Sequence, residues 1–67
     1  MKTLKLNNVT LQRTPLVAKD DWRSFYFRYI SIAKDVLIVI SEEGEERRFT
    51  LANRFEVKAV RNFIASF

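Results

Sequence analysis

The chain has no cysteine and no histidine, one glycine and one proline. Without thiols there are no disulfides, and without thiolate or imidazole the ordinary zinc sites are excluded. The commonest general base and the strongest side-chain nucleophile are missing with them. A lone glycine cannot build a phosphate-cradling loop. No apolar run approaches the ~18 residues of a membrane span, and Met1-Lys2 leads into mixed polar residues, not an apolar leader core. These absences predict a cytoplasmic protein that is not an enzyme and carries no cofactor and no metal.

What remains is a short, apolar, basic chain. Its 67 residues make one domain, residues 1–67. A domain of this size buries only ~60% of its unfolded surface, so its stability is thin without help. With disulfides and metals excluded, oligomerisation is the help left. An apolar fraction of 48%, with one Trp, two Tyr and six Phe, belongs to a folded protein and not to a disordered tail. Twelve Lys and Arg against eight Asp and Glu give +4, which favours anionic partners such as nucleic acid.

Along the chain the pattern predicts an α+β fold, a four-stranded antiparallel sheet followed by a C-terminal helix (ββββα). The strands are expected at about 4–12, 23–32, 36–41 and 46–51, and the helix at about 54–66. Leu4 and Leu6 alternate in one phase, Val9 and Leu11 in the other. The break at Asn7-Asn8 is a bulge or a turn, and one bulged strand is favoured. Residues 13–21, with Pro15 and Lys19-Asp20-Asp21, read as a solvated loop.

Val36 to Ile40 has no polar residue, so as a strand it is apolar on both faces, which implies burial on both. Glu42-Glu43-Gly44-Glu45 reads as a tight turn on the only glycine. With Glu43-Gly44 central, Val36 faces Leu51, Ile38 faces Phe49 and Ile40 faces Arg47, leaving Leu37, Val39, Arg48 and Thr50 on the other side. Asn53 and Glu56 form a capping pair for the helix. Phe55, Val57, Ala59, Val60, Phe63, Ile64 and Phe67 sweep an apolar arc of roughly 200°, twice what one sheet needs. The excess points to a homodimer, with Val57, Val60, Ile64 and Phe67 at its interface.

For function, Trp22 to Tyr29 interleaves aromatic and basic residues, as single-strand binders do when rings stack bases and cations hold phosphates. A three-residue loop at Ala33-Lys34-Asp35 puts Ile30 and Ile32 toward the helix and exposes Phe25, Phe27 and Tyr29 beside Leu37, Val39 and Arg48. A two-residue loop reverses that assignment. The candidate nucleic-acid contacts are Arg23, Phe27, Arg28, Tyr29, Lys34, Arg47 and Arg48. The glutamates at 42, 43, 45 and 46 read as a solvated hairpin tip, since such side chains diverge and lack the carbonyl-rich loop of calcium sites.

Arg28-Tyr29-Ile30-Ser31-Ile32, then Val36-Leu37-Ile38-Val39-Ile40, then Arg47-Arg48-Phe49-Thr50-Leu51 running into a helix, resembles the transcriptional positive cofactor four family over residues 28–64. That family has an Arg-Tyr-Val-Ser-Val strand, a Val-Leu-Ile-x-Ile strand and a basic strand ending in Ile-Ser-Leu. The resemblance implies a curved four-stranded sheet, a dimer paired through its helices, and binding of single-stranded DNA with little sequence preference in transcription or replication. It implies phosphate contacts from Arg28 and Arg47, and makes Tyr29 the motif aromatic. The chain departs from the family where Glu42-Glu43-Gly44 replaces an aromatic pair and where the loop after Ile32 is shorter. The competing expectation is a protein-binding adaptor or inhibitor, such as a phage or plasmid product, docking on a host protein through an apolar sheet face.

Overall fold

Two antiparallel sheets and one helix form in a computed structural model that describes residues 3–66. The first sheet has the order β1-β2-β3-β4, with β1 at Thr3–Lys5, β2 at Thr10–Gln12, β3 at Val17–Lys19 and β4 at Ser24–Tyr26. The second has the order β5-β6-β7, with β5 at Tyr29–Ala33, β6 at Val36–Ile40 and β7 at Glu46–Thr50. The helix α1 spans Arg54–Ala65. The α+β class, the antiparallel pairing and the C-terminal helix agree with the sequence pattern. The count of four strands does not.

Each difference has a local cause. Asn7-Asn8 is a turn, not a bulge. The Leu6 amide donates to the Val9 carbonyl at 2.9 Å, and Leu4 stands opposite Leu11, so both phases of the pattern face inward. Residues 13–21 are not a loop throughout, because β3 runs through them with Val17 and Ala18 both buried. The strand expected at 23–32 is interrupted at Phe27-Arg28. Ile40 is the register partner of Tyr29, yet its carbonyl accepts the Arg28 amide at 2.8 Å. Arg28 and Tyr29 therefore stand together opposite one residue, which is a β-bulge. Phe27, one position earlier, still pairs back to Leu16 at 3.2 Å. The chain thus leaves the first sheet and enters the second at the bulge.

The β6–β7 register is one residue away from the two-residue turn that the sequence suggests. Gly44 adopts φ +93° and donates to the Ser41 carbonyl at 3.0 Å, while Ser41 and Glu45 close the ladder at 2.8 Å. The loop is therefore three residues long, Glu42 to Gly44. Val36 faces Thr50, Ile38 faces Arg48 and Ile40 faces Glu46. A shift of one residue exchanges the faces. Leu37 and Val39 are the buried pair, and Val36, Ile38 and Ile40 lie outward, half-buried. Between β5 and β6 the loop has two residues, with Lys34 at φ 57°. Ile30 and Ile32 nonetheless face the core, because their partners Val39 and Leu37 do.

The core joins Leu6, Val9, Leu11 and Ala18 of the first sheet to Phe27, Leu37, Val39 and Leu51, with Val60 and Phe63 of α1 closing over them. Val60 is fully buried within its own chain, and Val57 and Ile64 pack half-buried against the same cluster. Of these side chains expected between two copies, Val60 is fully covered within one chain, and Val57 and Ile64 are covered by it only in part. Phe67 lies outside the described residues. The accessible surface is 4883 Å², against about 4450 Å² for a compact monomer of this mass. The surface exceeds that of a compact monomer by roughly a tenth, yet Leu11, Leu37, Val39 and Val60 are fully covered within one chain.

Candidate nucleic-acid interface

The basic and aromatic residues expected to form one platform are dispersed by the bulge and the register shift. Phe27 is a core residue, 5% exposed, and cannot present its ring to a base. Tyr29 lies on the outer face of the second sheet with Ile40 and Glu46. Arg48 is on that face too, opposite Ile38. Arg47 is on the opposite, core-facing side, where its guanidinium sits 5.1 Å above the Phe25 ring. Arg23 is at the β3–β4 hairpin and Lys34 at the β5–β6 turn, each apart from the others.

Three of the seven candidates are bound to the glutamate hairpin. Arg28 pairs with Glu42 at 3.6 Å and stands 5.9 Å from the Tyr29 ring. Arg47 pairs with Glu45 at 2.8 Å, and Arg48 pairs with Glu46. Exposed pairs of this kind contribute only about 0–1 kcal/mol and open readily. Their effect on a ligand is through local charge. Four glutamates against three arginines leave this end of the molecule slightly negative, which disfavours a phosphate backbone.

A different cluster is positive. Arg54, Lys58 and Arg61 recur at helical spacing on α1, and Lys34 of the β5–β6 turn stands across from them. With Asp35, Phe55 and Val57 they line an open hollow of about 670 Å³. Among the described residues none of the four cations has an ion-pair partner. Phe55 is 84% exposed at the lip. Among the described residues of the apolar helical arc it is the most exposed, and it takes no part in the core. Arg54, Lys58 and Arg61 were legible in the sequence only as the polar side of an amphipathic helix. That Lys34 would join them depends on the two-residue turn.

The helix is anchored so that this face is fixed. The Asn53 side chain accepts the Glu56 amide at 3.0 Å and caps the first turn. Glu56 reaches back with both carboxylate oxygens, accepting the Ala52 amide at 2.9 Å and the Asn7 amide of the β1–β2 turn at 2.6 Å. At the far end the Arg13 guanidinium donates to Ser66 Oγ at 3.4 Å, and that hydroxyl donates to the Phe63 carbonyl at 2.9 Å.

The β3–β4 tip is similarly set. Asp20 Oδ1 accepts the Trp22 and Arg23 amides, each at 2.8 Å, and these two bonds hold its carboxyl below the usual aspartate range. Trp22 stands 90% exposed at that tip. Among the described residues no three carboxylates converge on a metal position, and no helix is long and apolar enough to cross a membrane.

No known protein family matches the chain, no curated protein matches it, and no solved structure matches it.

Proposed function

We propose that this chain is a non-catalytic binding module for single-stranded nucleic acid, DNA before RNA, engaged through the helix side and not the sheet face. The observation that carries the reading is the set of four cations, Lys34, Arg54, Lys58 and Arg61, without an ion-pair partner among the described residues, gathered around an exposed phenylalanine with Asp35 as the one opposing charge in the lining. Cations spaced along a groove can hold phosphates, and an aromatic ring among them can stack a base of any identity. Contacts of that type carry little sequence information.

The test is fluorescence anisotropy with labelled oligothymidine. If all four cations meet phosphates, log affinity falls against log salt with a slope of about −2.8, taking ~0.7 per contact for single strands. Lys58→Ala with Arg61→Ala should flatten that slope by about 1.4, while Arg47→Ala with Arg48→Ala should leave it unchanged. A lack of binding at micromolar protein in low salt removes the proposal.

A second reading has its own observation. Trp22 and Tyr26, 90% and 63% exposed, belong to residue types that dominate protein-binding hot spots. An adaptor or inhibitor that docks on a host protein would use them. Loss of capture of one stoichiometric protein on Trp22→Ala, under nuclease treatment, would support that reading over the first.

A further inference from the structure

The strand β7 leaves an open edge. It is the outermost strand of the β5-β6-β7 sheet. The bonds that bracket its ladder, Ser41 amide to Glu45 carbonyl at 2.8 Å and Leu51 amide to Asp35 carbonyl at 2.7 Å, fix which backbone groups turn inward. In an antiparallel ladder these alternate, so Glu45, Arg47, Phe49 and Leu51 turn toward β6, and Glu46, Arg48 and Thr50 turn outward. The Thr50 carbonyl is taken, accepting Asn8 Nδ2 at 2.8 Å. The outward amides and carbonyls of Glu46 and Arg48 have no partner among the described residues.

We propose that this edge pairs with the same edge of a second copy, antiparallel about a two-fold axis, with Glu46 opposite Arg48 of the second copy. The register follows from what is open. Sliding one step along the strand places Arg48 against Arg48 and calls on the Thr50 carbonyl, which Asn8 already occupies. Sliding the other way places Glu46 against Glu46 and calls on Gly44, whose φ of +93° is not that of a strand. Only the register between them uses the two free positions, with each Glu46–Arg48 pair exchanging both of its backbone bonds.

The side chains agree with the backbone. Glu46 and Arg48 share the outer face and already pair within each copy, so the pairing sets two such ion pairs side by side, each carboxylate also beside a guanidinium of the other copy. Arg47 meets its own copy on the opposite face, each guanidinium already neutralised by Glu45 at 2.8 Å. Charges on an edge strand commonly keep other strands away. Here their order, acidic then basic, makes the edge attractive to itself in one register and repulsive in its neighbours. The same edge serves both copies about one two-fold axis, so the contact closes at two copies. The surface is separate from the hollow on α1, and its test needs no nucleic acid.

Sedimentation velocity or light scattering up to millimolar protein should report twice the 8.0 kDa chain mass for the wild type. Arg48→Glu and Glu46→Arg should each return single chains at the same concentration, because like charges then stand opposite. The double charge exchange, E46R with R48E, should recover the dimer. Backbone amide exchange at Glu46 and Arg48 should slow with rising concentration, while Arg47 and Phe49 stay protected throughout. Single chains at millimolar wild-type protein, a dimer that survives R48E, or a folded double variant that stays single would each overturn the proposal.

Discussion

Replacing Glu56 tests how a chain of this size holds its helix against its sheets. The carboxylate joins the β1–β2 turn, the segment after β7 and the first turn of α1, through the Asn7 amide at 2.6 Å and the Ala52 amide at 2.9 Å. Glu56→Gln keeps the shape and leaves one carbonyl oxygen where there were two acceptors. Its NH2 group must then face one of those amides. A hydrogen bond to a charged group contributes about 1.5–3 kcal/mol when buried, less at an exposed position such as this. The anion also interacts favourably with the helix N-terminus by roughly 0.3–1 kcal/mol. Together these put the loss at about 1.5–2.5 kcal/mol. A domain of this length has roughly 3–10 kcal/mol in all, and 1 kcal/mol moves its midpoint by about 4–8 °C. Thermal unfolding followed by circular dichroism should therefore show a drop of about 6–20 °C. Amide exchange at Asn7 and Ala52 should quicken in the variant below its midpoint. An unchanged midpoint with Asn7 still protected would refute the anchoring role.

Val60→Ala, at the fully buried centre of α1, should cost roughly 2–3 kcal/mol from lost transfer energy and the cavity left behind. The loss relative to wild type should be the same at low and high protein concentration, since any association at β7 is common to both; a loss that grows with concentration would place Val60 between copies. Gly44→Ala meets no atom within 4 Å of the added Cβ, so its penalty of about 1 kcal/mol should come from backbone conformation alone. Urea unfolding measures that penalty, and a neutral substitution would deny the left-handed turn. Asp20 has a depressed carboxyl pKa in the folded chain because of its two backbone bonds. Its contribution should be full above the ordinary aspartate value and be lost as pH falls through the depressed one. An NMR titration of Asp20 with an ordinary midpoint would contradict this.

Much of the fold is legible in the residues, and what is not has a common physical cause. β6, the β6–β7 hairpin, the helix and its Asn53 cap follow from long or strongly patterned segments. The first three strands are three residues each, too short for a period of two to distinguish strand from loop. Register is less legible than existence. One extra residue at Gly44 exchanges the faces of β6, and the bulge at Arg28-Tyr29 sends Phe27 inward and Tyr29 outward. The aromatic platform is a pattern of alternation that a single bulge dissolves. Val60 illustrates the same point at the level of assembly. It was read as facing a second copy because one sheet was counted where there are two, and both sheets cover it within one chain. The hollow on α1 was not legible, because its fourth cation, Lys34, is brought to the helix by a turn 20 positions away from Arg54 in sequence.

Mapping backbone amide shifts while titrating oligothymidine into the labelled protein tests the central claim most directly. Shifts should concentrate at Lys34 and Asp35 and along α1 from Arg54 to Asn62, and added salt should reverse them. Shifts centred instead on Tyr29, Ile38 and Arg48, or none at all, would contradict it.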